Sequence, residues 1–356
     1  MDLVHVYCGR RALVTGHTGF KGAWLCTWLL DLGADVTGLA LDPHDKPNLF
    51  DALGLAGRMT SLIGDIRDVT LVQNVFNQVR PEIVFHLAAQ SLVQRSYAEP
   101  IETFATNILG TAHVLNAARA TSSVRAVVNV TTDKVYEDRE WCWPYREIDS
   151  LGGLDPYSAS KACAELISAA YQKNLCRKDR TVEIATARGG NVIGGGDWGA
   201  DRLVPDIVRA VVSGQPIILR NPTAVRPWQH VLELCEAYLE LGARLLNSER
   251  LFAEAWNFGP WSANEITVNE LTRAMLRSWQ RPAHPIETRE SPFHESQVLR
   301  LDISKSVSRL DWRPRLAIVE ALDMTAQWYI AYYDNARTAH TLTLEQIREF
   351  KASAIP

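Results

Sequence analysis

Short apolar, β-branched runs recur along the first half of the chain, with longer, periodically apolar stretches between them. Ala12–Val14, Val36–Leu41, Ile83–Leu87, Ala126–Val130 and Val182–Ala187 predict strands. Trp24–Leu32, Thr70–Val79 and Asn107–Ala118 predict helices. Strand and helix in regular alternation predict an α/β fold, a doubly wound parallel sheet covered on both faces. The alternation weakens after Arg188. There Gly189, Gly190 and Gly194 to Gly196 are followed by Pro205, Pro216, Pro222 and Pro227, then by helical patterns around Val268–Trp279 and Leu316–Tyr332. We read 1–188 as a dinucleotide-binding sheet domain with a return segment near 228–260. Residues 189–350 read as a smaller, interleaved C-terminal substrate domain closing over the C-terminal edge of the sheet.

The 356 residues suffice for a large and a small domain sharing a cleft. A net charge of −4 gives no field that would draw nucleic acid or an anionic membrane, so an anionic substrate needs local arginines. Six cysteines, at 8, 26, 142, 163, 176 and 235, form no C-x-x-C pair, and no histidine cluster accompanies them. No metal site is expected, and reduced thiols suit a cytoplasmic protein. Arg10 and Arg11 interrupt the start of the chain and Ala23–Leu30 is far too short to span a bilayer, so neither a signal peptide nor a membrane segment is expected.

The first strand runs into a turn with glycines at 16, 19 and 22, enclosing Thr18 and Phe20. A glycine-rich turn from strand into helix turns backbone N–H groups and the positive helix end toward one point, which suits a pyrophosphate. Asp42, 20 residues after Gly22, is placed to accept from ribose hydroxyls and repel a 2′-phosphate, favouring NAD over NADP. It could equally be a solvated turn aspartate before Pro43. Asp65, followed by Ile66, is a candidate for the adenine end or a helix N-cap.

Two further elements carry chemistry. Tyr157 and Lys161 are four apart at the start of an apolar-striped helix, hence on one face, where the lysine would favour a phenolate able to take a hydroxyl proton. Thr132-Asp133-Lys134 closes the most apolar strand, at the edge where ligands sit in such sheets. Thr132 could bond the same hydroxyl as Tyr157, and Asp133 and Lys134 supply an acid–base pair.

With Leu87-Ala88-Ala89 and Asn107-x-x-Gly110-Thr111, these motifs resemble the extended short-chain dehydrogenase/reductase family, over about Arg11 to Trp328. The resemblance implies a Rossmann fold, bound NAD, a cofactor lining from Leu87, Ala88 and Ala89, and an active site supported by Asn107. Longer stretches resemble its CDP-glucose 4,6-dehydratase branch: Tyr145-Arg146-Glu147, Leu151-Gly152-Gly153-x-Asp155-Pro156-Tyr157, Arg188 to Trp198, Arg220-Asn221-Pro222 and Arg226 to Val231. Sister dehydratases place a glutamate where Lys134 stands. The implied reaction oxidises C4, removes water across C5 and C6, and returns the hydride to C6, giving a deoxysugar precursor of the lipopolysaccharide O-antigen kind. The implied substrate set is Gln90, Asn191, Arg202, Arg220, Arg226 and His294, with Asn191 on the substrate phosphate or holding its loop, and Arg220 and Arg226 as diphosphate candidates. Relatives pair through helices 107–118 and 161–173, implying a homodimer or homotetramer. A 4-epimerase needs Tyr157, Lys161 and Thr132 but not the Asp133-Lys134 pair. A non-catalytic NAD-binding module needs no tyrosine–lysine pair at all.

Overall fold

The apolar runs form strands β1 (Arg11–Thr15), β2 (Asp35–Ala40), β3 (Thr60–Ile63), β4 (Ile83–His86), β5 (Ala126–Val130) and β6 (Glu183–Arg188) in a computed structural model, which describes residues 2–43, 46–175, 182–261, 265–289 and 299–353. Short strands follow: β7 (Val192–Ile193), β8 (Ile217–Leu219), β9 (Val225–Pro227), β10 (Gln229–His230), β11 (Ala255–Asn257), β12 (Glu265–Thr267) and β13 (Ile286–Thr288). The main sheet has seven strands in the order β3-β2-β1-β4-β5-β6-β11, every neighbouring pair parallel. Its last strand therefore comes from the return segment. The helices are α1 (Leu3–Tyr7), α2 (Phe20–Asp31), α3 (Leu49–Ala52), α4 (Val69–Val79), α5 (Val93–Ala98), α6 (Pro100–Phe104), α7 (Thr111–Ala120), α8 (Pro156–Ala170), α9 (Leu203–Ser213), α10 (Val231–Leu246), α11 (Val268–Ser278), α12 (Ile318–Asp334) and α13 (Ala339–Ala352).

Successive side chains of a strand point to opposite faces, so each central strand feeds two cores. Val14, Phe85 and Val128 pack into the core that holds α2, α10 and α12. Leu13, Val84 and Val127 face the other, with α4 and α7. Both faces are covered, which explains why these strands read as unbroken apolar runs.

Local chemistry sets the helix starts that matter for the site. Asp155 accepts from the Ser158 N–H at 2.9 Å and Pro156 takes the first helical position, so α8 begins just ahead of Tyr157. Asp68, not Asp65, caps α4 through the Thr70 and Leu71 amides. The helix expected from Asn107 opens instead as a π-type turn over Ala105–Gly110 before α7. Among the described residues, no helix is long and apolar enough to cross a membrane. None of them forms a cluster of His, Cys, Asp and Glu that could hold a metal ion.

Candidate active site

A cleft of about 1110 Å³ lies over the C-terminal ends of β1, β4, β5 and β6. One side carries the glycine turn, Leu87–Ala89, Thr132–Lys134 and Tyr157; the other carries Arg202, Leu219, Arg220 and Arg226.

At the glycine end, close packing dictates the residue type. A Cβ on Gly16, where φ is 78°, would lie 2.7 Å from the Ala88 nitrogen, and one on Gly22 would lie 2.1 Å from the Gly16 oxygen. The Thr15 hydroxyl accepts from the Ala88 N–H at 3.2 Å and meets His86 Nδ1 at 2.7 Å, while His86 Nε2 meets Thr111 at 3.0 Å. Burial drives His86 down to about 3, so this bridge between β1, β4 and α7 is neutral. α2 starts at Gly19 with no side-chain cap, leaving its first-turn N–H groups for an anion. Thr18, Gly19 and Phe20 line the cleft there, with Asp65 and Ile66 farther along. These residues fit a dinucleotide pyrophosphate and its adenosine. Asp65 is gripped by Arg67 at 2.5 Å. β2 ends at Ala40, Asp42 stands exposed, and its neighbours Leu41 and Pro43 line the cleft.

The catalytic candidates meet at the end of β5. Thr132 Oγ1 donates to Asp133 Oδ1 at 2.9 Å, and Asn191 Nδ2 donates to Asp133 Oδ2 at 2.9 Å. Holding the Asp133 carboxylate is a role that neither expectation for Asn191 named. A Cβ on Gly190 would lie 2.1 Å from that carboxylate, so only glycine fits beside it. Asp133 is buried, and Lys134 follows it on the cleft wall. Burial pushes Tyr157 up to about 12, with Thr132 beside it pulling the other way. Lys161 lies buried below and donates Nζ to the Val130 carbonyl at 3.0 Å. Burial, reinforced by Lys21, brings Lys161 down to about 7 against the pull of Glu165. Burial thus opposes the charged form of both groups, the phenolate of Tyr157 and the ammonium of Lys161.

Glu165 anchors this region from beneath. It accepts from Thr131 at 2.5 Å, Thr186 at 2.7 Å and Arg188 at 2.8 Å, tying α8 to the ends of β5 and β6. Asn107 does not line the cleft; its amide donates to the Gln90 carbonyl and to Ser160, both at 2.9 Å, so it supports the site from behind. Gln90 is likewise turned inward, bonding Leu92 and Thr103 with its side-chain amide, because its own turn needs those donors and acceptors. The residue itself lines the cleft.

Arg202 reaches both oxygens of Asp197 at 3.0 Å and Ser91 at 3.0 Å across the cleft. Arg220 pairs with Asp201 at 2.5 Å, and Arg226, largely buried on β9, donates to the Val225 carbonyl at 3.0 Å. His294 lies outside the described residues. Lys21, which sequence reasoning did not single out, lines the cleft; burial and the neighbouring Arg202 lower it to about 8. Its signal was a lone charge in the otherwise apolar first turns of α2.

The model of the family described as GDP-mannose 4,6 dehydratase matches residues 13–325. A CDP-glucose 4,6-dehydratase from Salmonella typhimurium is 45% identical over 328 residues, 91% of this chain and 91% of that protein. A dTDP-glucose 4,6-dehydratase from Streptomyces antibioticus is 30% identical, over 89% of this chain and 91% of that one. Among solved structures, the dTDP-glucose 4,6-dehydratase DesIV from Streptomyces venezuelae, with NAD and TYD bound, superposes with a TM-score of 0.77 at 26% identity. The match covers 93% of this chain and 99% of DesIV. The epimerase Mth375 from Methanothermobacter thermautotrophicus shares the fold, with a TM-score of 0.81 at 24% identity over 95% and 97% of the two chains.

Proposed function

The chain belongs to the GDP-mannose 4,6 dehydratase family, and from that membership we propose that it converts CDP-glucose to CDP-4-keto-6-deoxyglucose and water with NAD as cofactor. The observation that carries this reading over a 4-epimerase is the acid beside the tyrosine. Asp133 is buried and held on both oxygens, a position an epimerisation at C4 has no use for.

Bound NAD supplies the hydride acceptor for C4 and the hydride donor for C6, and ends the cycle unchanged. The glycine turn, the uncapped start of α2 and the Leu87–Ala89 segment would hold it. Tyr157 takes the 4-hydroxyl proton, with Thr132 at the same hydroxyl and Lys161 supplying positive charge from below. A ketone at C4 makes the C5 proton acidic. Lys134 either removes that proton or stands as a cation beside the enolate while another group takes it, Asp133 hands a proton to the departing 6-hydroxyl, and C5 is reprotonated once the hydride has reached C6. Arg226 holds the diphosphate, which does not react, and Arg202 works from the same side.

Incubation with CDP-, UDP-, dTDP- and GDP-glucose tests the reading, with the 4-keto-6-deoxy product followed by mass. Fastest loss of water is expected from CDP-glucose. A 4-epimer with no mass change would replace dehydratase by epimerase, and NAD binding without any turnover would revive a binding module.

We place the enzyme in the cytoplasm as a homodimer or homotetramer. Supporting this, Ile101 on α6, Leu109 just before α7 and Leu166 on α8 expose 78%, 55% and 61% of their surface on neighbouring helices. Light scattering should show an oligomer that Leu166→Lys dissociates; a monomeric wild type would remove the reading.

A further inference from the structure

Asp201 and Arg220 form an ion pair at 2.5 Å on the wall of the cleft, each side chain 36% exposed. The opposite side of the cleft reaches the same pair. Gln94 of α5, with its amide turned to suit both partners, donates Nε2 to Asp201 Oδ2 at 3.3 Å and accepts from Arg220 Nη1. Arg220 stands on the sequence as a diphosphate candidate, but its carboxylate partner argues against that. A diphosphate arriving here would be repelled by Asp201 about as strongly as it was attracted by Arg220.

A neutral ligand edge suits the pair better. The carboxylate offers acceptors only and the guanidinium offers donors only, held side by side with nearly no net charge. Cytosine carries the complementary edge: a 4-amino donor next to the acceptors N3 and O2. We propose that Asp201 and Arg220 read the cytosine of CDP-glucose, Asp201 accepting from the 4-amino group and Arg220 donating to N3 or O2. Uracil and thymine have a carbonyl at C4 and an N–H at N3, so they would set oxygen against the carboxylate and a donor against the guanidinium. Asp201 is fixed for this task by a left-handed backbone, with φ 57°, a conformation that Asp and Asn tolerate. Leu203 and Ile218, on the same cleft wall, supply apolar surface for a pyrimidine face.

This inference rests on CDP-glucose being the substrate, and the test separates the two. Dissociation constants for CDP, UDP and dTDP are measured by calorimetry on the full-length wild type and on Asp201→Asn, which keeps the backbone conformation. The wild type should favour CDP. Asp201→Asn should cut the CDP-over-UDP preference about tenfold or more, because an amide can donate to O4 as readily as it accepts from the 4-amino group. Arg220→Gln should erode the same preference, so the idea stays testable if one variant fails to fold. If Asp201→Asn tightens all three nucleotides alike, Arg220 is a phosphate ligand masked by Asp201 and the proposal falls. It also falls if all three change by one common factor or not at all. A wild type that prefers another nucleotide overturns the substrate and this proposal together, and that is visible before any substitution is made.

Discussion

Burial drives Tyr157 and Lys161 apart from nearly equal ordinary values, Tyr157 up to about 12 and Lys161 down to about 7. Tyr157→Phe should lower kcat by roughly 10²- to 10⁴-fold and abolish both transient reduced-cofactor absorbance and C5 exchange with deuterated solvent. Lys134→Met should keep the absorbance transient and lose the exchange if Lys134 is the C5 base. Exchange at a near-native rate would make it the cation beside the enolate. The tyrosine–lysine spacing was legible in the sequence because four residues is a helix-face repeat. Lys21, the Asp197–Arg202 pair and the inward turn of Gln90 were not, since they depend on distant segments meeting. Buried neutral histidines give a second expectation. His17, His86 and His230 are lowered by burial to about 4, 3 and 3, so between pH 4 and the ordinary histidine value of 6.5 the unfolded chain binds more protons than the native one. The share of stability these three histidines contribute therefore rises with pH in that window. Glu233, raised to about 8 by burial, opposes it, as do Glu147, Glu236, Glu240 and Asp206, whose carboxyls burial also raises. Thermal melts from pH 5 to 6.5 should show that the Tm difference between wild type and His86→Gln shifts in favour of the wild type as pH rises, because only the wild type carries the His86 contribution.

At the scale of elements, the turn after β6 is what sets the acid in place. Gly190 leaves room for the Asp133 carboxylate and Asn191, at φ 51°, turns its amide back onto it. Gly190→Ala should displace Asp133 and slow water loss by at least tenfold, while C4 oxidation, read as reduced-cofactor absorbance, persists. Equal loss of both would mean the turn serves Tyr157 as well. The strands buried on both faces were readable as continuous apolar runs, and Ala126–Val130 matches β5 residue for residue. β3 was harder, being a partly exposed edge strand, and α13 mixes its buried Ile347 and Phe350 with polar neighbours. The Gly- and Pro-rich stretch after Arg188 hid four short strands because two- and three-residue pairings leave no periodicity.

The whole molecule is knitted rather than strung together. Residues 189–230 intervene before α10 packs on β5 and β6, and β11 pairs with β6 only after α10. A fragment of residues 1–188 should therefore be insoluble on expression: the outer edge of β6 lacks its partner and the apolar surface that α10 covers lies open. Recovery of that fragment as a folded monomer by gel filtration and circular dichroism would contradict this. The same knitting has a consequence during synthesis. At roughly 5–20 residues per second, a ribosome needs several seconds after finishing β6 to deliver Asn257, the end of its sheet partner. During that interval the nascent chain presents an unpaired strand edge to its surroundings, a surface on which a chaperone can act before the sheet is closed.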